Sequence, residues 1–259
     1  MWRAGLIAFV MLLVQARAMA CGPYSLAFYE YSALYFRAED GRWEGIDKAL
    51  VDELARRSGC RFDTRLESRV RIWAQFAAGQ LDITTSAMPT QEREHFAEFL
   101  PYIRSRQYVL LRPELADALA SAAAFSADAS RSLLVVRGYV QTPTLQAWVD
   151  DLRAHGRVVE APDQSSAMRA FKAGRADAMI LGANSLAAAR RNDRAFARFA
   201  ALSFAPHEHT VGALALSRER VTEADRALLR RTLQEMQRDG SLDAIKRRYL
   251  GELAESVGP

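Results

Sequence analysis

Arg93 is the residue with the clearest chemical assignment in the chain. It follows Pro89-Thr90, a pair that reads as a helix start with Thr90 as N-cap. That spacing puts Arg93 one turn into a helix, where unpaired backbone N–H groups attract anions. A guanidinium can hold a carboxylate through two parallel hydrogen bonds, so the segment reads as a grip for a small acid. The competing reading is a surface arginine paired with Glu92 or Glu94. His207-Glu208-His209 could share one strand face and hold a metal, but only His95 and His155 remain elsewhere and no third ligand is marked. A structural role near a crossing between lobes fits that trio better. There is no Gly-rich phosphate loop, paired-cysteine motif or Gly-x-Ser-x-Gly elbow. Glu30 and Glu67 are available as general acids but read more simply as solvated or ion-paired carboxylates.

The two cysteines bear on the compartment. Arg3, the apolar run from Leu6 to Val14 and Ala18-Met19-Ala20 form a signal peptide with a small-x-small cleavage site. Residues 1–20 are therefore expected to be removed, leaving Cys21 first. Two fates are open to Cys21: lipidation, against which Ala18 stands where Leu is usual, or a disulfide with Cys60 in an oxidising compartment. The bridge is the better expectation. The chain of 259 residues carries 35 basic and 31 acidic side chains, with Arg3 and Arg17 in the leading segment. This near balance gives no nucleic-acid footprint, and Arg190-Arg191 and Arg247-Arg248 read as solvated helix faces.

The positioning elements alternate. Tyr24 to Tyr31 reads as a strand, Ile46 to Ser58 as a helix stopped by Gly59, and Arg61 to Leu66 as a strand. Arg71 to Ala78 reads as a helix and Leu81 to Ser86 as a strand. A second unit repeats the pattern: strand Leu133 to Arg137, helix Pro143 to Ala154, strand Val158-Val159, helix Ser165 to Ala173, strand Ala178 to Leu181. Glu114 to Ser132 is an Ala/Ser-rich helix or insertion. Val211 to Leu216 is a further strand, and Thr222 to Arg238 and Ser241 to Leu250 are helices split by Asp239-Gly240. Such alternation argues for α/β layers.

Four stretches then resemble the family 3 bacterial extracellular solute-binding proteins. They are Asp40-Gly41 with Gly45-Ile46-Asp47; Gly79-Gln80-Leu81-Asp82 through Thr90-Gln91-Glu92-Arg93 to Phe99-Leu100-Pro101-Tyr102; Ala173-Gly174-Arg175-Ala176-Asp177-Ala178; and Asp239-Gly240-Ser241-Leu242 to Tyr249-Leu250-Gly251. The resemblance implies an α/β, two-lobed, type II periplasmic-binding-protein-like fold with a two-strand hinge. Lobe 1 would take 21–112 and 205–259, and lobe 2 would take 113–204, with crossings near Leu110 to Pro113 and Phe204 to His209. It implies a small-molecule ligand, an inner-membrane ABC permease as partner, a monomer in the periplasm, no cofactor and no catalysis. A dehydratase-like enzyme on the same fold and a ligand sensor for a membrane receptor are the alternatives.

The resemblance also assigns the cleft. Arg93 becomes the carboxylate clamp. Ser86, Ala87 and Met88 line the cleft through backbone groups and the Ser86 hydroxyl, within a segment one residue shorter than the family's. Tyr31 packs against the ligand, although Tyr29 and Tyr35 are equally available. Gly138-Tyr139-Val140 forms the second-lobe loop, with Tyr139 and Val140 replacing the usual hydroxyl residues. Two departures follow. The acid that neutralises a ligand's ammonium is replaced by Gly182, with Asn184 nearby, and Arg69 stands where an aromatic wall is expected. Arg69 could equally be a solvent-facing helix start. Together the departures suggest a ligand more anionic than a zwitterion.

Overall fold

The chain was analysed as a computed structural model, which describes residues 21–256; the expected signal peptide lies outside the described residues. The first unit runs β1 (Tyr24–Phe28), the small ribbon β2 (Phe36–Arg37) and β3 (Trp43–Glu44), α1 (Ile46–Ser58), β4 (Phe62–Leu66), α2 (Arg69–Ala77), β5 (Ile83–Ala87), the single turn α3 (Gln91–Glu94) and β6 (Ala97–Ser105). The middle unit runs β7 (Gln107–Leu111), α4 (Ala122–Ala127), β8 (Leu133–Val136), α5 (Pro143–Ala154), β9 (Val158–Ala161), α6 (Gln164–Lys172), β10 (Ala178–Gly182), α7 (Ala183–Asn192) and β11 (Ala200–Leu202). The chain returns as β12 (Thr210–Ser217), α8 (Glu223–Arg238) and α9 (Ser241–Leu250).

Two five-stranded mixed sheets result, ordered β4-β1-β5-β12-β6 and β9-β8-β10-β7-β11. The two orders are the same pattern. In each, three parallel strands are followed by one antiparallel strand that arrives from the other unit's side. This is the expected two-lobed periplasmic-binding-protein fold. β7 pairs with β10 and β11, so the chain changes sheets at Arg106 rather than at Leu110 to Pro113. Val109-Leu110-Leu111 is an unbroken apolar run, which reads the same in either sheet. The return crossing occupies residues 203–209. Arg106 Nε donates to His209 Nε2 across 3.4 Å, and Thr210 Oγ1 donates to the Ser105 carbonyl at 3.2 Å, so the two crossings touch. Glu208 accepts from the Thr144 N–H and hydroxyl at the head of α5. His207-Glu208-His209 thus ties the return crossing to its surroundings, and among the described residues no His, Cys, Asp and Glu cluster could hold a metal.

α1 shows why the periodicity was readable. Ile46, Leu50, Val51 and Leu54 fall on one buried face, and each fully buried aliphatic side chain contributes roughly 1.5–3 kcal/mol. Gly59 ends the helix in the left-handed region at φ 72°. Cys21 and Cys60 form a disulfide between the start of β1 and the start of β4, both buried. The bridge takes the sulfur that a lipid would need.

Two elements were not evident from the sequence. β6 carries Pro101, which argues against a strand interior. It is tolerated because β6 is an edge strand and its register with β12 skips Tyr102, running from Gly212–Ile103 to Ala213–Pro101. α7 is built from small residues. Ala183, Ala187 and Ala188 join the core of the first lobe, while Leu186 and Ala189 join that of the second. The helix lacks an amphipathic stripe because both lobes cover it.

Candidate functional site

The cleft side of lobe 1 is built on the C-terminal ends of β1 and β5 and the start of α2. Arg93, at the third position of α3, packs on its α2 face. Its guanidinium carbon lies 3.7 Å from the centre of the Trp73 ring, and Nη1 donates to the Met88 carbonyl at 3.1 Å. No carboxylate among the described residues forms an ion pair with it, so pairing with Glu92 or Glu94 is not what holds it. Burial, followed by the positive charge of Arg69, lowers its proton affinity. α3 is only four residues long, and Thr90 Oγ1 already accepts the Arg93 N–H at 3.3 Å. The anion-attracting helix end expected here is therefore slight, and the guanidinium carries the charge.

Arg69 is the exposed first residue of α2, and its guanidinium sits 5.3 Å from the Tyr29 ring centre. Tyr29 stacks on Tyr31 at 5.8 Å. Tyr35, by contrast, stacks between Phe28 and Trp43 in the core and is not available to a ligand. A recess of about 530 Å³ opens among Tyr29, Glu30, Tyr31, Leu66, Glu67 and Arg69. Within it Glu30 is exposed, while Glu67 accepts from the Ser68 N–H at 3.1 Å and from Arg71 at 3.3 Å.

Ser86 lines a narrow recess together with Ala87 and Met88. Its backbone is in the left-handed region at φ 48°, and all three of its polar groups are engaged within lobe 1. The N–H donates to the Tyr102 hydroxyl at 2.8 Å, Oγ donates to Asp47 Oδ2 at 2.7 Å, and the carbonyl accepts from the Tyr29 hydroxyl at 3.1 Å. The hydroxyl expected to face the ligand gives its proton to a buried carboxylate. Tyr102 also donates to Asp47 Oδ1, which its skipped register on β6 makes possible. Burial pushes Asp47 up to about 6, against the pull of the Tyr102 and Ser86 hydrogen bonds. This network fixes the end of β5. From there Ala87 and Met88 continue along a narrow recess that also touches Arg69 and Trp73.

Gly45 supports the same network from the helix side. Its φ is 130°, and a Cβ there would lie 2.2 Å from the Leu34 carbonyl oxygen. That close approach lets the Asp47 N–H donate to Leu34 at 2.9 Å and seats the head of α1 beside β5.

Lobe 2 contributes the loop after β8. The Tyr139 hydroxyl lies 3.0 Å from that of Tyr31. Val140 is 59% exposed at the loop tip, and its carbonyl accepts from Gln107 at 3.3 Å. Gly182 is buried at the end of β10. A Cβ there would lie 2.8 Å from Asn184 Oδ1 and 3.3 Å from the Tyr139 hydroxyl. Beside this contact the Ser32 and Ser185 hydroxyls meet at 3.0 Å, and Gln164 bonds both.

Tyr31, Arg69, Ser86, Ala87, Met88 and Arg93 thus belong to lobe 1, and Tyr139, Val140 and Gly182 to lobe 2. Trp73 was not singled out from the sequence; Tyr29 stood only as an alternative to Tyr31, and Asp47 and Tyr102 only within the family-like stretches. Trp73 carried one usable signal: it lies four residues after Arg69, on the same helix face.

The fold has counterparts among solved structures. An ancestral cationic amino-acid solute-binding protein matches with a TM-score of 0.72 at 19% identity, covering 88% of this chain and 95% of that one. A probable amino-acid ABC transporter extracellular-binding protein of Bacillus subtilis matches with a TM-score of 0.71 at 16% identity, covering 88% and 98%. A histidine kinase sensor domain similar to periplasmic binding proteins matches with a TM-score of 0.66 at 15% identity, covering 90% and 97%. At these identities the likeness is one of fold. No curated protein matches the sequence. The family model for bacterial extracellular solute-binding proteins, family 3, matches residues 28–252, and the chain belongs to that family.

Proposed function

We propose that this protein is a periplasmic clamp that captures a small carboxylate-bearing solute, an amino acid or related organic acid, and presents it to an inner-membrane ABC permease. The observation that carries the reading is Arg93: a guanidinium held by Trp73 and the Met88 carbonyl, beside Arg69 and Tyr29, with no ion pair among the described residues. The ligand's carboxylate would complete the pairing, with bidentate geometry available to it. Tyr31 would cover the ligand's stem. Opening at Arg106 and residues 203–209 admits the ligand to lobe 1, and closure brings the Tyr139 loop over it. Contacts with both lobes supply the differential affinity that favours the closed state.

The fold of a histidine kinase sensor supports a second reading, in which the closed form docks on a membrane receptor. A permease and an ATPase encoded beside the gene favour transport, and a sensor kinase favours signalling.

The test is mass spectrometry of ligand released from natively purified protein, followed by calorimetry of that ligand with wild type and Arg93→Ala. Loss of about a hundredfold or more in affinity is expected, since a charge-assisted bidentate pair in a desolvated cleft is lost. Unchanged binding of a carboxylate ligand by Arg93→Ala would refute the assignment.

A further inference from the structure

The two jaws of the cleft differ in charge. Lobe 1 presents Arg69 and Arg93; burial and then the charge of Arg69 lower the proton affinity of Arg93, against a smaller opposing pull from Glu92. Neither forms an ion pair among the described residues. The groups of lobe 2 that meet lobe 1 here are neutral: the Tyr139 hydroxyl against Tyr31, and Ser185 and Gln164 against Ser32. Behind them stand Gln107, Asn184 and Gly182, also neutral. The acids of the recess both belong to lobe 1: Glu67 is committed to Arg71 and the Ser68 N–H, and Glu30 is exposed to solvent.

Tyr139 and Gly182 are sterically linked. The phenol ends 3.3 Å from where a Gly182 Cβ would stand, so any side chain at 182 would compete with it for the same volume. The lobe-2 position opposite Tyr31 therefore holds a hydroxyl in place of a charged side chain. An ammonium closed into this cleft would lose its water, face two guanidiniums and meet no carboxylate from lobe 2, which is costly. A second carboxylate would meet Arg69 and could accept a hydrogen bond from the tyrosine pair.

We infer that Tyr139 is the specificity-determining residue of the cleft, and that with Gly182 it selects an amine-free dicarboxylate over the amino acid of the same carbon skeleton. The inference rests on the carboxylate-clamp reading and extends it to the second functional group of the ligand.

Calorimetry with matched pairs tests it: glutarate against L-glutamate, and succinate against L-aspartate. In wild type at least one dicarboxylate should bind about tenfold or more tightly than its amino-acid counterpart. The double variant Tyr139→Ser/Gly182→Asp removes the phenol and supplies a carboxylate, and should move that ratio about tenfold or more toward the amino acid. Arg93→Ala, run on the same four acids, separates the two levels of the reading. Amino acids bound more tightly than their counterparts in wild type, with binding lost in Arg93→Ala, would overturn the Tyr139 inference and leave the clamp standing. Binding of either series indifferent to Arg93→Ala would overturn the clamp. Failure of both dicarboxylates to bind wild type overturns the dicarboxylate inference without recourse to any variant.

Discussion

The Arg93 guanidinium lies 3.7 Å from the centre of the Trp73 ring while donating to the Met88 carbonyl. A long, rotamer-rich side chain is thereby held in one orientation before any ligand arrives, which reduces the ordering cost of binding. A cation over an indole face is worth about 0.5–2 kcal/mol, depending on desolvation. Trp73→Leu keeps the apolar contact of α2 but removes the π face. It should weaken binding of the native carboxylate ligand roughly 2- to 30-fold, with a modest drop in thermal stability because the ring also packs near Phe76 and Phe99. Calorimetry gives the affinity, and a scan of the apoprotein gives the stability. An unchanged Kd would show that Trp73 does not orient the clamp.

The elements that position this clamp were legible where one face alone is buried. α1 and α5 occupy the residues that helical spacing assigns, Ile46–Ser58 and Pro143–Ala154, because their apolar stripes face a single core. α7 was not legible, since Ala183 to Ala189 is buried between two lobes and carries no contrast between faces. The same limit applied to the site. Arg93 and Tyr31 are proposed as cleft residues from the resemblance, but the direction of the Ser86 hydroxyl depends on Asp47 and Tyr102, 39 and 16 residues away in sequence. A bulge that turns Tyr102 inward leaves no local pattern. Likewise Gly182 reads in sequence as a missing acid, and only the packing shows that Tyr139 occupies the space.

The Cys21–Cys60 bridge ties β1 to the strand beside it and closes a separation of 39 residues. Restricting the unfolded chain over that length is worth about 4 kcal/mol in the entropic model. Cys21→Ala/Cys60→Ala, or reduction of wild type, should lower the melting temperature by roughly 5–15 °C. Ligand affinity should stay within about threefold, because the bridge lies at the opposite end of β1 from Tyr29 and Tyr31. Equal melting temperatures with and without reductant would show that the bridge constrains nothing.

Gly45 meets the Leu34 carbonyl at a distance no Cβ can share, and at a φ that side chains avoid. Gly45→Ala must either break the hydrogen bonds from Ile46 and Asp47 to Ala33 and Leu34 or displace the turn that carries Tyr31 and Ser32. Both outcomes cost about 2–4 kcal/mol and reach the cleft. The expected result is a melting temperature lower by about 5–15 °C together with weaker ligand binding. A variant as stable as wild type would mean the turn can move freely, which the paired hydrogen bonds argue against.

Asp47 links the clamp to pH. Its carboxyl sits fully buried, and desolvation raises it from 3.8 to about 6. A carboxyl raised in the folded state binds more protons there than in the unfolded chain between those two values, so its contribution to stability falls as pH rises through that window. Other acids, such as Glu53 and Asp239, are held low by Arg56 and Arg57 and act in the opposite sense. The effect is therefore read as a difference. Asp47→Asn keeps the volume and offers Tyr102 and Ser86 an amide. Urea unfolding of both proteins from pH 4 to pH 7 should show wild type losing ground to Asp47→Asn between about pH 4 and 6, with no further change above that range. A difference that stays constant, or that grows in favour of wild type as pH rises, would show that the carboxylate is stabilised in the network. The Ser86 backbone would then be held by a charge rather than by a proton shared among Asp47, Tyr102 and Ser86.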